Sequence, residues 1–173
     1  AQDWTQRRAE LKELLTREMY GQMPGRPAAM RFHVVEEDKK ALGGKATRRQ
    51  VRIDLDGTTN GPQLNVLMYV PRFPFRRAAI IGLNFWGNHA IHPDPGILLS
   101  RNWMESGRNP YVDLGCVSNH LATEACRGIN AKQWPVEKIL QEGYALVTCY
   151  REDVAPDRPN GMTNGVMALY PEL

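Results

Sequence analysis

The sequence predicts an α/β fold built on a mixed sheet, in which antiparallel strands come first and buried strands follow. Residues 31–37 and 47–55 precede the other strands, and the second segment alternates between apolar and polar side chains, as a strand with one wet face does. Residues 78–83 and 144–150 are apolar runs without alternation, which is typical of strands buried on both faces. A predicted helix at 136–142 separates these two runs, and this order indicates an α/β sheet with a mixed edge.

Length and composition restrict the class of protein. The chain has 173 residues, which suits one domain or part of a larger one. Its 42% apolar and 24% charged residues are ordinary for a folded protein. The net charge of +3 is spread along the chain rather than clustered, so we expect no nucleic-acid partner. No apolar run is long enough to span a bilayer, so we expect no membrane partner.

The amino-terminal residues 1–27 predict a helix followed by a bent linker. Asp3 is a suitable N-cap, and Gln6 stands three residues later, as in a capping box. Apolar residues then recur at helical spacing until Gly21 ends the helix. Pro24 and Pro27 form the linker.

Turn residues separate the strands that follow. A Gly43-Gly44 turn joins the first two strands, and residues 64–70 form a third strand that Pro71 and Pro74 close. Pro135 opens the helix at 136–142 and Gly143 ends it. The tail at 156–173 reads as a loop.

A long irregular region at 91–127 is rich in Pro, Gly, Asn and Ser, and loops of this length are usually functional or disordered. Trp103 inside it and Trp134 just beyond it favour a packed, ordered insertion. Cys116 and Cys126 bracket a loop-like stretch and could pair, which would suit an exported protein.

The turn after residues 78–83 is the candidate edge of an active site. It carries Asn84, Gly87, Asn88 and His89, which can direct side-chain amides or bare backbone N–H groups at a ligand. Ligand sites in open α/β sheets lie just beyond the carboxyl ends of such strands. A strand followed by a polar turn also occurs in folds without any chemistry at that place.

Neither a serine nucleophile nor a metal site can be assembled from these segments. Ser100, Ser106 and Ser118 do not follow an apolar strand or carry the small flanking residues of a nucleophile elbow. His89 and His92 have Asp94 nearby, but prolines interrupt any helix that would align them, and no third firm ligand is evident. We therefore expect no metal and no cofactor.

Acidic residues follow the strand at 144–150. Glu152, Asp153 and Asp157 are interpreted as structural carboxylates that cap or orient a neighbouring loop. Arg127 is a candidate partner for one of them, since both groups lie near loops at the same edge of the sheet.

Taken together, three segments carry a resemblance to a known family. These are the run Asn84-Phe85-Trp86-Gly87-Asn88-His89, the segment from Arg127-Gly128 to Trp134-Pro135-Val136-Glu137, and the stretch from Gly143-Tyr144-Ala145 through Tyr150 and Asp153 to Pro156-Asp157. With the opening Trp4, Arg7-Arg8, Tyr20-Gly21 and Pro24, they resemble the carbohydrate esterase family 15 glucuronoyl esterases.

The resemblance implies that residues 1–173 are the N-terminal half of an α/β-hydrolase domain, a three-layer sandwich with leading antiparallel strands. It implies a carboxylic ester hydrolase that uses a Ser-His-acid triad and cleaves the ester between 4-O-methyl-glucuronic acid of glucuronoxylan and lignin alcohols. The nucleophile, base and acid are expected beyond Leu173, so the partner of this segment is the remaining C-terminal part of the domain, and the segment alone is expected to be inactive. We expect a secreted or periplasmic protein.

The resemblance also implies roles for individual residues. Residues 84–89, in particular Asn84, Phe85, Gly87, Asn88 and His89, would lie beside the nucleophile and form the pocket floor. Residues 91–127 would wall the substrate groove, with Trp103 and Arg127 as groove candidates and Asp153 as a structural acid. The alternatives are another polysaccharide-directed hydrolase, such as an acetyl xylan esterase, and a non-catalytic carbohydrate-binding domain that uses Trp86 and Trp103 as platforms.

Overall fold

The structure is a computed structural model that describes residues 2–21, 24–73, 78–106, 114–163 and 165–170. The predicted strand end at Pro74, residues 107–113 of the predicted insertion and the last three residues of the predicted tail loop lie outside the described residues.

Five strands form the main sheet: β1 (Arg31–Lys40), β2 (Ala46–Asp54), β3 (Gln63–Pro71), β4 (Ala79–Asn84) and β7 (Ala145–Tyr150). Their spatial order is β1-β2-β3-β7-β4. β1, β2, β3 and β7 pair antiparallel in turn, whereas β4 pairs parallel with β7. The predicted mixed α/β sheet is therefore confirmed.

Short helical elements connect the strands. Helix α2 (Ala41–Gly44) turns β1 into β2, and its Leu42 and Gly43 have positive φ angles of 53° and 67°, so the turn lies where the glycine pair predicts it. Helix α3 (Val136–Gln141) precedes β7, and α4 (Arg151–Val154) follows it directly. A long connection that contains α3 thus joins the parallel strands β4 and β7, as parallel pairing requires.

One face of the sheet is packed and forms the hydrophobic core. Leu67, Tyr69 and Leu146 alternate inward along β3 and β7, and they pack against Val136 and Leu140 of α3. Trp134 also reaches this face, where its ring lies 3.2 Å from the position that a Cβ on Gly82 would occupy. Gly82 therefore permits the close packing of an indole on β4.

The opposite face is apolar and only partly covered by the described residues. The side chains in register across it are Phe32, Val34, Val51, Ile53, Val66, Met68, Val147, Cys149, Ile81 and Leu83, and each is half-buried or exposed. β4 is an edge strand, and its Ile81 and Leu83 are 77% and 57% exposed. The prediction that residues 78–83 are buried on both faces is therefore wrong for this chain, because its side chains on this face are exposed and no described strand pairs with its outer edge.

Helix α1 (Gln2–Leu15) continues through a π-helical turn to Tyr20 before Gly21. Asp3 lies inside its first turn, so the predicted N-cap role is wrong, and Gln6 donates to Glu10 instead of completing a capping box. The apolar residues Trp4 and Leu14 are 63% and 47% exposed. The helical spacing thus predicts the helix, although its apolar side chains do not join the described core.

The predicted insertion is folded around a second, smaller core. A two-stranded hairpin, β5 (Val117–Ser118) and β6 (Leu121–Ala122), is closed by a disulfide between Cys116 and Cys126. These cysteines pack with Met104 and Tyr150. The insertion is thereby attached to the carboxyl end of β7. Among the described residues, no helix has the length and apolar character needed to cross a membrane.

Candidate functional site

The candidate site lies where β4 and β7 end side by side. Asn84 and Tyr150 are paired in the parallel register, so the turn after β4 and helix α4 after β7 leave the sheet at the same edge. Gly87 takes a φ of 86°, a conformation that favours glycine, and its carbonyl accepts from the N–H of Ala90. The local sequence therefore bends the chain sharply back over the packed face.

A chain of amide hydrogen bonds runs through this edge. The Nδ2 of Asn84 donates to Oδ1 of Asn88 (2.7 Å) and to Oγ1 of Thr148 (3.1 Å). The Nδ2 of Asn88 in turn donates to the backbone carbonyl of Asn65 (2.8 Å). Asn84, Asn88 and Thr148 are all buried, so these bonds define the side-chain orientations at the floor of the site.

The carboxylate of Asp153 is the last acceptor in this chain of hydrogen bonds. Its Oδ2 accepts from the backbone N–H of Asn65 (2.8 Å) and from Asn65 Nδ2 (3.3 Å), and its Oδ1 accepts from Asn102 Nδ2 (2.5 Å). The residue is 2% exposed, and burial raises the pKa of Asp153 to about 6 against these hydrogen bonds, which lower it. Through these hydrogen bonds, Asp153 connects its own helix α4 to β3 and to the loop that carries Asn102.

His89 is buried rather than open to a ligand. It is 1% exposed, and burial followed by the nearby Arg127 charge lowers the pKa of His89 to about 4. Its backbone carbonyl accepts from the N–H of Gly128 (2.9 Å), which ties the turn to the end of the insertion. His89 is therefore a neutral packing residue in this chain near neutral pH.

Phe85 is the exposed aromatic residue of the turn. The residue is 51% exposed, and the guanidinium carbon of Arg151 lies 4.0 Å from the ring centroid. Arg151 is held by Glu152 (2.7 Å) and Asp157 (3.2 Å). Phe85 directly follows β4 and Arg151 directly follows β7, so the two residues that leave these parallel strands form a cation–π pair.

Trp103 lies within the insertion, directly after residues 98–102. Its indole stacks on His120 at 5.3 Å between ring centroids, with an interplanar angle of 18°, and Arg158 lies 5.5 Å from the ring centroid. His120 is at the tip of the β5–β6 hairpin, where it takes a positive φ of 60° and its backbone carbonyl accepts from the N–H of Met104. The disulfide-closed hairpin therefore orients the tryptophan.

Arg127 does not pair with the acidic residues after β7, so that prediction is wrong. Its guanidinium forms two hydrogen bonds with Glu124 (2.6 and 2.7 Å) and donates to the backbone carbonyls of Asp94 (3.0 Å) and Ile97 (2.8 Å). The side chain is 12% exposed. Arg127 therefore holds the two ends of the insertion together.

Replacing Arg127 by alanine is expected to lower the free energy of unfolding by about 2 kcal/mol, because two partly buried backbone carbonyls lose a charged donor. Glu124→Gln is the matched control, and since Glu124 is 66% exposed, we expect a much smaller loss. Urea unfolding measures both. Equal losses in the two variants would show that the ion pair, and not the carbonyl contacts, carries the effect.

The residues considered as metal ligands do not converge. The carboxylate of Asp94 accepts from Arg48 Nη1 (2.6 Å) and from the hydroxyl of Tyr69 (2.6 Å), and His92 Nδ1 accepts from the N–H of Asp94. Across the described ranges, no group of three or more His, Cys, Asp or Glu residues could hold a metal ion. Asp94 instead anchors the insertion to the sheet.

A cavity of about 840 Å³ opens beside this network. Strands β2 and β3 form one wall, residues 98–102 and the β5–β6 hairpin form the other, and Asn88, Tyr150 and Asp153 lie at the end nearest the candidate site. Its polar side chains are mostly held by neighbours, as Gln50 is by Glu36 and the backbone of Gly96 and Leu98.

Sequence reasoning missed the residues that complete the polar network. Asn65 and Thr148 are polar residues at inward positions of strands, and that signal could have identified them. Asn102 and Arg151 carry no local signal, since each gains its role from residues far along the chain.

Comparisons with known proteins identify relatives over nearly the whole chain, although no protein-family model matches it. Carbohydrate esterase MZ0003 from an unknown prokaryotic organism is 35% identical over 172 residues, which cover 98% of this chain and 38% of that protein. A glucuronoyl esterase from Solibacter usitatus superimposes with a TM-score of 0.80 at 37% identity, covering 98% of this chain and 41% of that one. A promiscuous CE15 esterase from the marine bacterial metagenome has a TM-score of 0.77 at 33% identity, with 99% and 41% covered.

The chain thus spans about two fifths of the length of each of these relatives. Sequence identity above 30% and superposition over nearly all of this chain agree with the motifs at residues 84–89, 127–137 and 143–157. The resemblance is therefore confirmed: over nearly its whole length, this chain is similar to a portion of a carbohydrate esterase, of a glucuronoyl esterase and of a CE15 esterase.

Proposed function

We propose that this chain is the N-terminal part of an α/β-hydrolase catalytic domain that hydrolyses the ester between 4-O-methyl-glucuronic acid of glucuronoxylan and lignin alcohols. The observation that carries the proposal is the 37% identity and TM-score of 0.80 to a glucuronoyl esterase over 98% of this chain. We also propose that the protein is secreted or periplasmic, and the disulfide between Cys116 and Cys126 supports this localisation.

The exposed edge strand β4 supports the proposal that further polypeptide completes the domain. An α/β sheet buries both of its faces, and β4 leaves one edge without a partner among the described residues. The apolar side chains Ile81 and Leu83 lie on the partly covered face beside that edge. A strand paired with β4 and helices over this face would bury them, and these elements are proposed to come from the rest of the same catalytic domain.

In the proposed reaction, the completing part of the domain supplies the reacting groups and the present chain supplies part of the pocket. A serine hydroxyl of the completing part attacks the ester carbonyl, a histidine takes its proton, and an acidic residue orients that histidine. The alcohol leaves with the proton, and water then releases the uronic acid from the acyl-enzyme. The present chain supplies the floor of the pocket at residues 84–89 and the wall formed by the insertion, so it is proposed to be inactive alone.

Trp103 and Phe85 are the proposed substrate contacts of this chain. Phe85 is half exposed at the end of β4, and Arg151 stacks on its ring. Trp103 is oriented by the disulfide-closed hairpin and has Arg158 nearby. Aromatic rings of this kind offer an apolar face to a sugar or an aromatic alcohol, although one face of Trp103 is already covered by His120.

The experiment that tests the proposal compares two classes of ester on the longer protein that contains this chain. We expect release of glucuronic acid from its methyl and benzyl esters and little release of acetate from acetylated xylan. A serine-directed fluorophosphonate is expected to label the longer protein and to leave residues 1–173 alone unlabelled. Faster acetate release would favour an acetyl xylan esterase, whereas xylan binding without any hydrolysis would favour a carbohydrate-binding domain.

A further inference from the structure

A shallow depression lined by cations lies at one end of the main sheet. Its volume is about 340 Å³, and the residues around it are Lys39, Lys40, Thr47, Arg49 and Arg72. Four of these side chains are positively charged, the fifth carries a hydroxyl group, and no acidic residue of the described chain lines the depression. A surface of this composition offers hydrogen-bond donors and positive charge to an anion.

The antiparallel pairing of three strands brings these residues together from distant parts of the sequence. β1 ends at Lys40, next to the start of β2, and Thr47 near that start is paired with Val70 of β3. Arg72 directly follows β3, and its backbone N–H donates to the carbonyl of Lys45 (3.0 Å). Positive charges that are spread along the sequence therefore cluster at this end of the sheet.

The depression and the candidate site lie at opposite ends of the sheet. β3 is antiparallel to β7, so the carboxyl end of β3 lies beside the amino end of β7, whereas the candidate site is at the carboxyl end of β7. A strand of six residues such as β7 spans about 20 Å. A polysaccharide is long enough to contact both places at once, whereas a single sugar ester is not.

The positive charge of the depression is only partly neutralised. Glu37 accepts a hydrogen bond from Arg49 Nε (2.6 Å) and lies 3.6 Å from Lys39 Nζ. The side chains of Lys40 and Arg72 form no ion pair with any described residue, and both residues are exposed. Burying such cations without an anionic partner is costly, so we expect them to remain accessible unless an anion covers them.

A carboxylate on a sugar is the anion that suits these groups. Lysine and arginine side chains form charge-assisted hydrogen bonds with carboxylates, and the Thr47 hydroxyl can donate to or accept from a sugar hydroxyl. The proposed reaction leaves a free uronate carboxylate on the polysaccharide at each ester that it cleaves. The polysaccharide therefore carries more negative charge after each turnover.

We propose that Lys39, Lys40, Thr47, Arg49 and Arg72 form a binding site for free uronate groups of the polysaccharide. This inference rests on the proposed function, because that function supplies the polymer. The four cations attract a carboxylate, whereas an esterified glucuronate is neutral and is not attracted in this way. The site therefore favours polymer that contains free uronic acid.

The test measures binding of the longer protein to two forms of glucuronoxylan. One form is saponified, so that its uronic acids are free carboxylates, and in the other form these carboxylates are reduced to alcohols. The variant Lys40→Gln/Arg72→Gln removes the two cations that have no ion pair. Arg8→Gln/Lys12→Gln is the matched control, because it removes one exposed arginine and one exposed lysine of α1 and changes the net charge equally.

Affinity electrophoresis in gels that contain each polymer measures the dissociation constants. On the saponified polymer we expect Lys40→Gln/Arg72→Gln to bind about fivefold more weakly than the control variant, and on the reduced polymer we expect equal binding. Raising the salt concentration from about 0.05 M to about 0.3 M is expected to remove most of the difference, because exposed charges are screened. Melting temperatures check that both variants are folded. If the double variant does not fold, Lys40→Gln and Arg72→Gln alone replace it, each with an expected loss of about twofold.

Equal binding of the two double variants to the saponified polymer, or an equal difference between them on both polymers, would overturn the proposal. Duplex DNA is a further probe: binding that is tighter than to saponified glucuronoxylan and is lost in Lys40→Gln/Arg72→Gln would assign the depression to nucleic acid and would also overturn it. Hydrolysis of the benzyl ester of glucuronic acid by the same longer protein tests the proposed function separately. Its absence would contradict that function, whereas the binding comparison concerns only the depression, so the two failures are distinguishable.

Discussion

Replacing Arg48 by methionine is expected to lower the free energy of unfolding by about 3 kcal/mol or more. Arg48 is 7% exposed at its side chain and forms ion pairs with Glu36 (2.6 Å) and Asp94 (2.6 Å). Asp94 is itself only 9% exposed, so the substitution leaves an uncompensated charge in the interior. Burial raises the pKa of Asp94, but hydrogen bonds from Tyr69, Gly96 and Arg48 outweigh that effect and lower it, and without Arg48 much of this support is lost.

Arg49→Met is the matched control, since Arg49 is the next residue of the same strand. It points to the other face, is 45% exposed and pairs with Glu37. Exposed ion pairs contribute about 0.2–1 kcal/mol, so we expect a loss in that range. Urea unfolding of both variants at pH 7 measures the difference. A loss for Arg48→Met no larger than that of Arg49→Met would show that the Arg48 network does not anchor the insertion.

The pH dependence of stability is expected to contain two large contributions of opposite sign. The pKa of Asp153 is raised by burial to about 6, so the folded protein binds a proton that the unfolded chain has lost, and this contribution decreases as pH rises from about 4 to about 6. The pKa of His89 is lowered to about 4, so this contribution is complete above about pH 6.5 and is lost as pH falls to about 4. Each is worth on the order of 3 kcal/mol.

Two neutral substitutions separate these contributions. Relative to the wild type, Asp153→Asn is expected to become progressively more stable as pH rises from 4 to 6. His89→Gln is expected to show the reverse, becoming relatively more stable as pH falls from 6.5 to 4. Urea unfolding at pH 4, 5, 6 and 7 yields the two difference curves, from which any constant cost of the substitution cancels. Difference curves that are flat, or that slope in the same direction, would contradict the assigned burial of these groups.

The esterase resemblance and the pattern of strands could both be obtained from the sequence, because each depends on neighbouring residues. Alternation and apolar runs locate β2, β3 and β7, and glycine or proline marks most of their ends. The turn at residues 84–89 is also local, since Asn84 directly follows an apolar run and Gly87 takes the positive φ that its position requires. Such features depend on backbone geometry over a few residues, which side-chain chemistry largely decides.

Burial and side-chain partners were decided only by the tertiary structure. The run at residues 78–83 is as apolar as a fully buried strand, yet β4 is exposed because burial depends on what packs against it. Arg127 pairs with Glu124 and not with the acids after β7, and Asp153 gathers Asn65 and Asn102 from 88 and 51 residues away in the sequence. Contacts over such separations follow from how the sheet folds back on the insertion, and local sequence patterns do not encode them.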